Sequence, residues 1–344
     1  MRRRGWIPGA TAVALVAASA VTRFTVYPAL HQVPAGSETT FRLQGTATLL
    51  NSPALSGGSG ELFLRDVPVK MSRHVEVTDA DGRTAVVHDT ASLRGPDGRQ
   101  LAASAYVWAL DRRDLTERPA PAGSGAQPHT GLTVGWPLEP HRRDYPFWDT
   151  GTRTSVTARY TGDKNVKDRK SYVYDVSATG KLADPAVAKS LPAALPRAVV
   201  TEVANALPAG RRPSKAALAA LPETVPLTYG STTTQRAWID TATGLTLDGT
   251  LHQSVTARTT GPDGPLALFP VTEVNLRATT STVQDQADTA ADTARLLWLL
   301  RDAGPLGLLA LALLLAVVAV RRARRTGTAD RSEAAARHPR EANV

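Results

Sequence analysis

Two carboxylates stand eight residues apart in the stretch RAWIDTATGLTLDG, Asp240 and Asp248, with three threonines and a tryptophan around them. Three chemistries could use such a set: general acid–base catalysis, a calcium loop, or the turn of a β-hairpin. An EF-hand-type loop requires oxygen ligands at alternate positions and a glycine sixth. Counting from Asp240, the third position is Ala242 and the sixth Leu245, so the pattern fails. DADGR at 79–83 fails as well, since Arg83 and Thr84 hold the fifth and sixth places. A catalytic carboxylate pair is a tertiary property that spacing alone does not exclude. The local physics favours a hairpin, because aspartate beside turn residues bonds its own backbone.

The other chemistry-bearing residues are sparse. His74, His88, His129, His141 and His252 form no HxH or HExxH spacing, while His31 borders the first apolar segment and His338 lies in the tail. GGSGE at 57–61 ends in glutamate where a nucleophile elbow needs glycine. Neither a phosphate-binding loop nor a dinucleotide fingerprint occurs. The chain has no cysteine, which excludes thiol nucleophiles, redox chemistry and cysteine-built zinc sites. No catalytic, cofactor-binding or metal-ligating residue is assigned. The one concentrated aromatic group is WPLEPHRRDYPFWD, where Trp136, Tyr145, Phe147 and Trp148 crowd together in a chain only 5% aromatic. These four are a candidate ligand platform; the reading favoured over it is that they anchor the long loop onto the β core.

The elements that must position these residues are framed by two apolar ends. GPLGLLALALLLAVVAV, 304–320, carries no charge and no polar face, and RRARR follows at once. Such a run reads as a transmembrane helix with its C-terminal side cytoplasmic. At the other end Arg2, Arg3 and Arg4 precede WIPGATAVALVAASAVT. Two readings stand, a cleavable secretory signal ending at Ala18-Ser19-Ala20 and an uncleaved anchor, with the anchor preferred. Either leaves the middle of the chain outside the cytoplasmic membrane, with both termini cytoplasmic if the anchor stays. The net charge of +9 then loses its suggestion of nucleic acid. The leading arginines supply +3 and the tail from Arg321 supplies +4, leaving +2 for everything between. Membrane lipids are the expected partners of the ends.

Between the ends the pattern is alternation. Strand-like runs at 74–78, 83–90 and 101–110 are separated by DADG and GPDG, and Asp-Gly between such runs is a strong hairpin signal. GPDG recurs at 261–264, which suggests two related β blocks. The expected plan is an anchor over 1–26, a β block over 27–180, and an alanine- and proline-rich helical insert over 181–226. A second β block over 227–283, a juxtamembrane helix over 284–303, the span 304–320 and a basic tail over 321–344 complete it. Gly304-Pro305 should break the juxtamembrane helix from the span. The fold class is mainly β with short helices, an antiparallel twisted sheet or half-barrel flanked by transmembrane helices.

Several of these stretches resemble the actinobacterial membrane-anchored family known as the PorA porin family. They are the apolar segment ending in Tyr27-Pro28, VWALDRRD at 107–114, WPLEPHRRDYPFWD at 136–149, SYVYDVS at 171–177, AWIDTATG at 237–244 and the C-terminal helix with its arginines. The chain departs from that pattern at Thr241, where proline is usual, and at Asp114-Leu115, where Thr-Gly is common. The resemblance implies location and architecture. A transmembrane barrel is not expected, because its strands need about ten residues with an apolar outer face, whereas these look short, threonine-rich and charged. The hairpin around WID also resembles those of bacterial lipoprotein carriers, half-barrels that hold acyl chains. The reading is a non-enzymatic cell-envelope protein whose extracytoplasmic β domain binds lipid, wall polymer or a protein partner, or supports the envelope. The alternatives are a channel-like component and an envelope hydrolase.

Overall fold

Tight turns at Asp81-Gly82 and Asp97-Gly98, both glycines at positive φ, fold the first strands into hairpins as the sequence predicts. The computed structural model describes residues 7–55, 60–261 and 264–336. It divides into two units, residues 33–291 and the two chain ends, 1–32 with 292–344.

In the larger unit ten strands form one antiparallel sheet, a curled half-barrel. A first meander comprises β1 (Glu38–Leu50), β2 (Phe63–Asp81), β3 (Thr84–Arg94) and β4 (Gln100–Asp111), with the short α3 (Ser52–Leu55) after β1. Then come β5 (Tyr145–Asp149), β6 (Thr154–Val166) and β7 (Arg169–Lys181). The insert supplies α4 (Pro185–Ala188), α5 (Arg197–Asn205), α6 (Lys215–Ala219) and a small ribbon of β8 (Ala194–Pro196) with β9 (Thr224–Pro226). The last sheet strands are β10 (Thr228–Asp240), β11 (Thr246–Gly261) and β12 (Gly264–Ala278). Their spatial order is β4-β3-β2-β1-β12-β11-β10-β7-β6-β5. Residues of the 27–180 and 227–283 stretches therefore interleave: β7 pairs with β10 across the insert, and β12 returns to β1. The second GPDG turn has its Pro262 and Asp263 outside the described residues.

The strands are longer than the sequence suggests. β2 alone runs 19 residues where only 74–78 shows clean alternation. The reason is compositional: Thr, Ser and Arg occupy both faces near the strand ends and blur the period of two. Register shifts at Ala47/Leu49, Val77/Asp79, Tyr160/Gly162 and Val255/Thr256 are β-bulges, which bend strands and curl the sheet.

Side chains directly opposite one another share a face. Following Tyr174 to Ala237 to Gly249, then Leu251 to Leu276, Leu43 to Met71, and Val87 to Trp108, traces the buried inner face. The insert closes one part of it. Val200, Val203 and Ala204 of α5, with Leu218 and Val225, have no more than 3% exposure and pack on Phe63, Ala257, Leu268 and Phe269. Each valine, leucine and phenylalanine among them contributes roughly 1.5–3 kcal/mol by leaving water, so the insert is part of the core rather than a movable cover. Ser214 caps α6 by accepting from Ala217 N–H, as its position predicts. Thr279 accepts from Thr282 N–H to open α7 (Thr280–Trp298), whose Gln286 reaches Thr39 of β1.

In the smaller unit α1 (Ile7–Val21) and the π-turn after it (Thr22–Val26) face α8 (Gly304–Ala336), and α2 (Tyr27–Leu30) follows the π-turn. Ser19 Oγ donates to the carbonyl of Pro305 at 2.9 Å, and Ala12 and Ala312 are both buried. Residue numbers rising on one helix as they fall on the other make the pair antiparallel. The spans Thr11–Leu30 and Thr280–Arg321 are long and apolar enough to cross a membrane. The break expected at Gly304-Pro305 does not occur. A π-turn over Leu299–Ala303 precedes the proline, with Gly304 N–H reaching back to Leu299 O, and the helix continues past the residue that cannot donate. The N-terminal helix repeats the device, its π-turn ending two residues before Pro28. Arg2 to Arg4 and residues 337–344 lie outside the described residues.

Candidate functional site

The four aromatics singled out in the sequence do not form a platform. Trp136 and Tyr145 are each 5% exposed. Trp136 stacks on Tyr174 with ring centroids 4.0 Å apart, and Tyr145 meets it edge-on at 5.5 Å. Tyr174 donates its hydroxyl to His141 O, and His141 N–H donates to Tyr145 Oη, so both phenols hold the loop backbone. Burial pushes the Tyr174 hydroxyl well above its ordinary pKa. Phe147 and Trp148 are neighbours on β5 and pack, half-buried, into different clusters, Phe147 beside Tyr145 and Trp148 beside Trp108. Aromatic area here seats the 112–144 loop on the sheet.

The hairpin reading of RAWIDTATGLTLDG holds. Asp240 accepts from Ala242 N–H, Thr243 N–H and the Thr243 hydroxyl, and a bidentate Arg169 lies at 2.9 and 3.0 Å. Gly244, at φ +71°, completes the turn, and a Cβ there would stand 2.3 Å from Pro137 O. The turn and the aromatic loop therefore touch at a point only glycine permits. Thr241 N–H donates to Lys170 O at 3.1 Å, a bond the proline usual in the family pattern cannot make. Asp248 accepts from Gly249 N–H.

The other buried carboxylates are engaged in the same way. Asp89 receives both Arg73 nitrogens at 2.8 Å and the Trp108 indole N–H at 3.3 Å. Burial opposes the Arg73 charge, but the Asp89 partner outweighs it and raises the guanidinium pKa. Asp111 is held below its ordinary value: burial would raise it, and the Arg113 N–H with the Arg83 pair overcomes that. Asp149 binds Thr152, and Asp184 takes the Tyr106 hydroxyl at 2.7 Å while capping α4. Among the described residues no three His, Asp or Glu side chains gather as a metal site. His129 packs against the Trp108 ring, and burial lowers its pKa.

The outer face of the sheet carries an open depression of about 250 Å³, lined by Thr161, Gly162, Asp163, Lys164, Val173, Arg236 and Trp238. Sequence spacing missed it, because its residues come from three strands, 161–164 of β6, Val173 of β7, and Arg236 with Trp238 of β10. A second one, of about 310 Å³, lies along α8 at Ala316, Val317, Val320 and Arg321.

Fold and site together define a β half-barrel with a filled interior, carried on a chain with two membrane-length apolar helices. The chain belongs to the Porin PorA family, whose pattern matches residues 9–321, and this marks it as an envelope porin-like protein. No curated protein matches the sequence. Among solved structures it has a distant likeness to a protein assigned as an oleoyl thioesterase from Lactobacillus plantarum, at 9% identity over 74% of this chain and 80% of that one, TM-score 0.15. Another is a MaoC-domain dehydratase assignment from Chloroflexus aurantiacus J-10-fl, at 12% identity over 77% and 80%, TM-score 0.13.

Proposed function

We propose that this chain is a non-enzymatic envelope protein, anchored by its paired helices, whose β domain works through its surface rather than through an internal cavity. The filled inner face carries the reading: Trp108, Leu110, Tyr174, Ile239, Leu247 and Leu268 are all fully buried there or in the adjoining core. A carrier of acyl chains requires an apolar void, and a hydrolase requires carboxylates with free valence facing one. Here the buried carboxylates are committed to arginines, hydroxyls and turn amides, which suits a rigid body.

The membrane placement draws support from two ranks of arginine. Arg301 to Arg321 spans about 30 Å of helix, the thickness of a hydrocarbon core, and Arg23 sits on the facing helix one turn beyond Ser19. Antiparallel pairing then suits two cytoplasmic termini and an extracytoplasmic 33–291. The family's porin description favours a second reading, a channel. The helix surfaces exposed on either side, Val13, Val16, Phe24, Leu306, Leu309 and Leu313 among them, are apolar and poorly suited to line water. Purified full chain in planar bilayers should show no unitary conductance, and solvent extraction should release no stoichiometric acyl lipid from the β domain. Discrete conductance steps would overturn the first expectation and support the channel; bound lipid would overturn the second and support a carrier.

A further inference from the structure

One rung of the sheet crosses four strands on the outer face: Gly162, Val173, Trp238 and Asp248. Side chains on such a rung normally stand shoulder to shoulder. Here the first is missing, the second is small and the third is an indole, so the rung itself makes the depression. Gly162 sits at a bulge with φ +146°, and a Cβ added there would meet nothing within 4 Å. The open space is therefore a consequence of backbone geometry, with Val173 as floor and Trp238 as wall.

The charge around it is uneven. Arg159, Lys164 and Arg236 stand on this face against Asp175 and Asp248, while Asp163 lies opposite Tyr172 on the other face. Asp175 is taken by a bidentate Arg236 at 2.6 Å, and Asp248 accepts from Gly249 N–H. The Arg236 hydrogen bonds hold Asp175 below its ordinary pKa. Lys164 has no acidic partner among the described residues, and its ammonium lies 5.5 Å from the Trp238 ring centre.

We propose that this depression binds one acidic sugar unit of an envelope polysaccharide, its ring stacked on Trp238 and its carboxylate or phosphate taken by Lys164. The proposal rests on the extracytoplasmic placement given above. A volume of about 250 Å³ is below the roughly 300–1,000 Å³ of small-molecule pockets, which suits a single ring of a polymer crossing the surface. A peptide adding as a strand could pair only with the open edge of β6 at 159–166, because β7 and β10, which carry the floor and the wall, are paired on both sides. Single-stranded nucleic acid stacks successive bases on several aromatics, and this face offers one indole.

The test is calorimetric titration of the full chain in detergent micelles with four probes: oligogalacturonate for carboxylate, phosphomannan for phosphate, dextran as the neutral glycan and a single-stranded DNA oligonucleotide. One or both acidic glycans should bind and dextran should not. Lys164→Gln and Trp238→Leu should each weaken binding at least tenfold, about 1.4 kcal/mol. Lys164 is exposed, so its variant keeps the test alive if Trp238→Leu fails to fold. Absence of glycan binding overturns the proposal, as do equal binding of dextran and preference for DNA. Acidic-glycan binding that survives both substitutions belongs to the basic tail and overturns it too. Conductance steps alongside lysine-dependent glycan binding would sink only the non-channel reading; silent bilayers without glycan binding would sink only this one.

Discussion

β10 carries one member of each of two bidentate arginine–carboxylate pairs, Arg236 and Asp240, four residues apart, and the pairs differ mainly in water. Asp240 is 1% exposed and Arg169 23%; Arg236 is 51% exposed and Asp175 35%. Both pairs have good geometry, at 2.6–3.0 Å. Burial makes the first indispensable, because removing one member strands a desolvated charge or unsatisfied amides. Screening makes the second nearly neutral to stability, and for that reason free to serve recognition. The same strand is thus structural at its end and available along its middle.

The comparison breaks most severely at Asp240→Ala. That change removes the acceptor of five hydrogen bonds and should cost about 4 kcal/mol, lowering Tm of the full chain by roughly 10 °C. Asp89→Ala comes next, at about 3 kcal/mol, because Arg73, 31% exposed, keeps part of its hydration while the Trp108 N–H loses its acceptor. A thermal melt that moved by less than 2 °C for either variant would contradict the assignment of these pairs as structural. His129 gives a smaller, pH-dependent effect. Its folded pKa lies below the unfolded value of about 6.5, so the neutral form is the one the fold favours. Stability from this site is complete above about pH 6.5 and declines as pH falls through the folded pKa. His129→Phe should flatten that part of a denaturation profile. The smallest effect belongs to Asp175→Asn, under about 1 kcal/mol once solvent screening is allowed for. It should shrink further in high salt, whereas the Asp240→Ala loss should not.

The sequence discloses some of this more readily than the rest. Asp81-Gly82 and Ser214 announce their turn and cap through local chemistry, and the apolar run ending at Arg321 announces a membrane-length helix. The aromatic loop leaves platform and anchor open in sequence, because Trp136 and Tyr145 stand beside charges while their partner Tyr174 is some thirty residues away. The segment GDKNVKDRK looks like a loop. Instead it continues two strands, turning only at Lys167-Asp168, both at positive φ without a glycine to signal it. The outer depression leaves no linear trace, since Gly162, Val173 and Trp238 meet only through register.

The pairing of β12 with β1 sets a schedule. β1 can zip to β2 as soon as both emerge, but its other edge waits for residues 264–278, more than two hundred positions later. Until then its backbone is open to any passing strand, and a sheet closed by such distant partners is slow to form. Synthesis that stalls before β12 should yield a sticky fragment with bare amides along one side, and a nonsense change near Gly261 should be more toxic to the cell than loss of the whole protein.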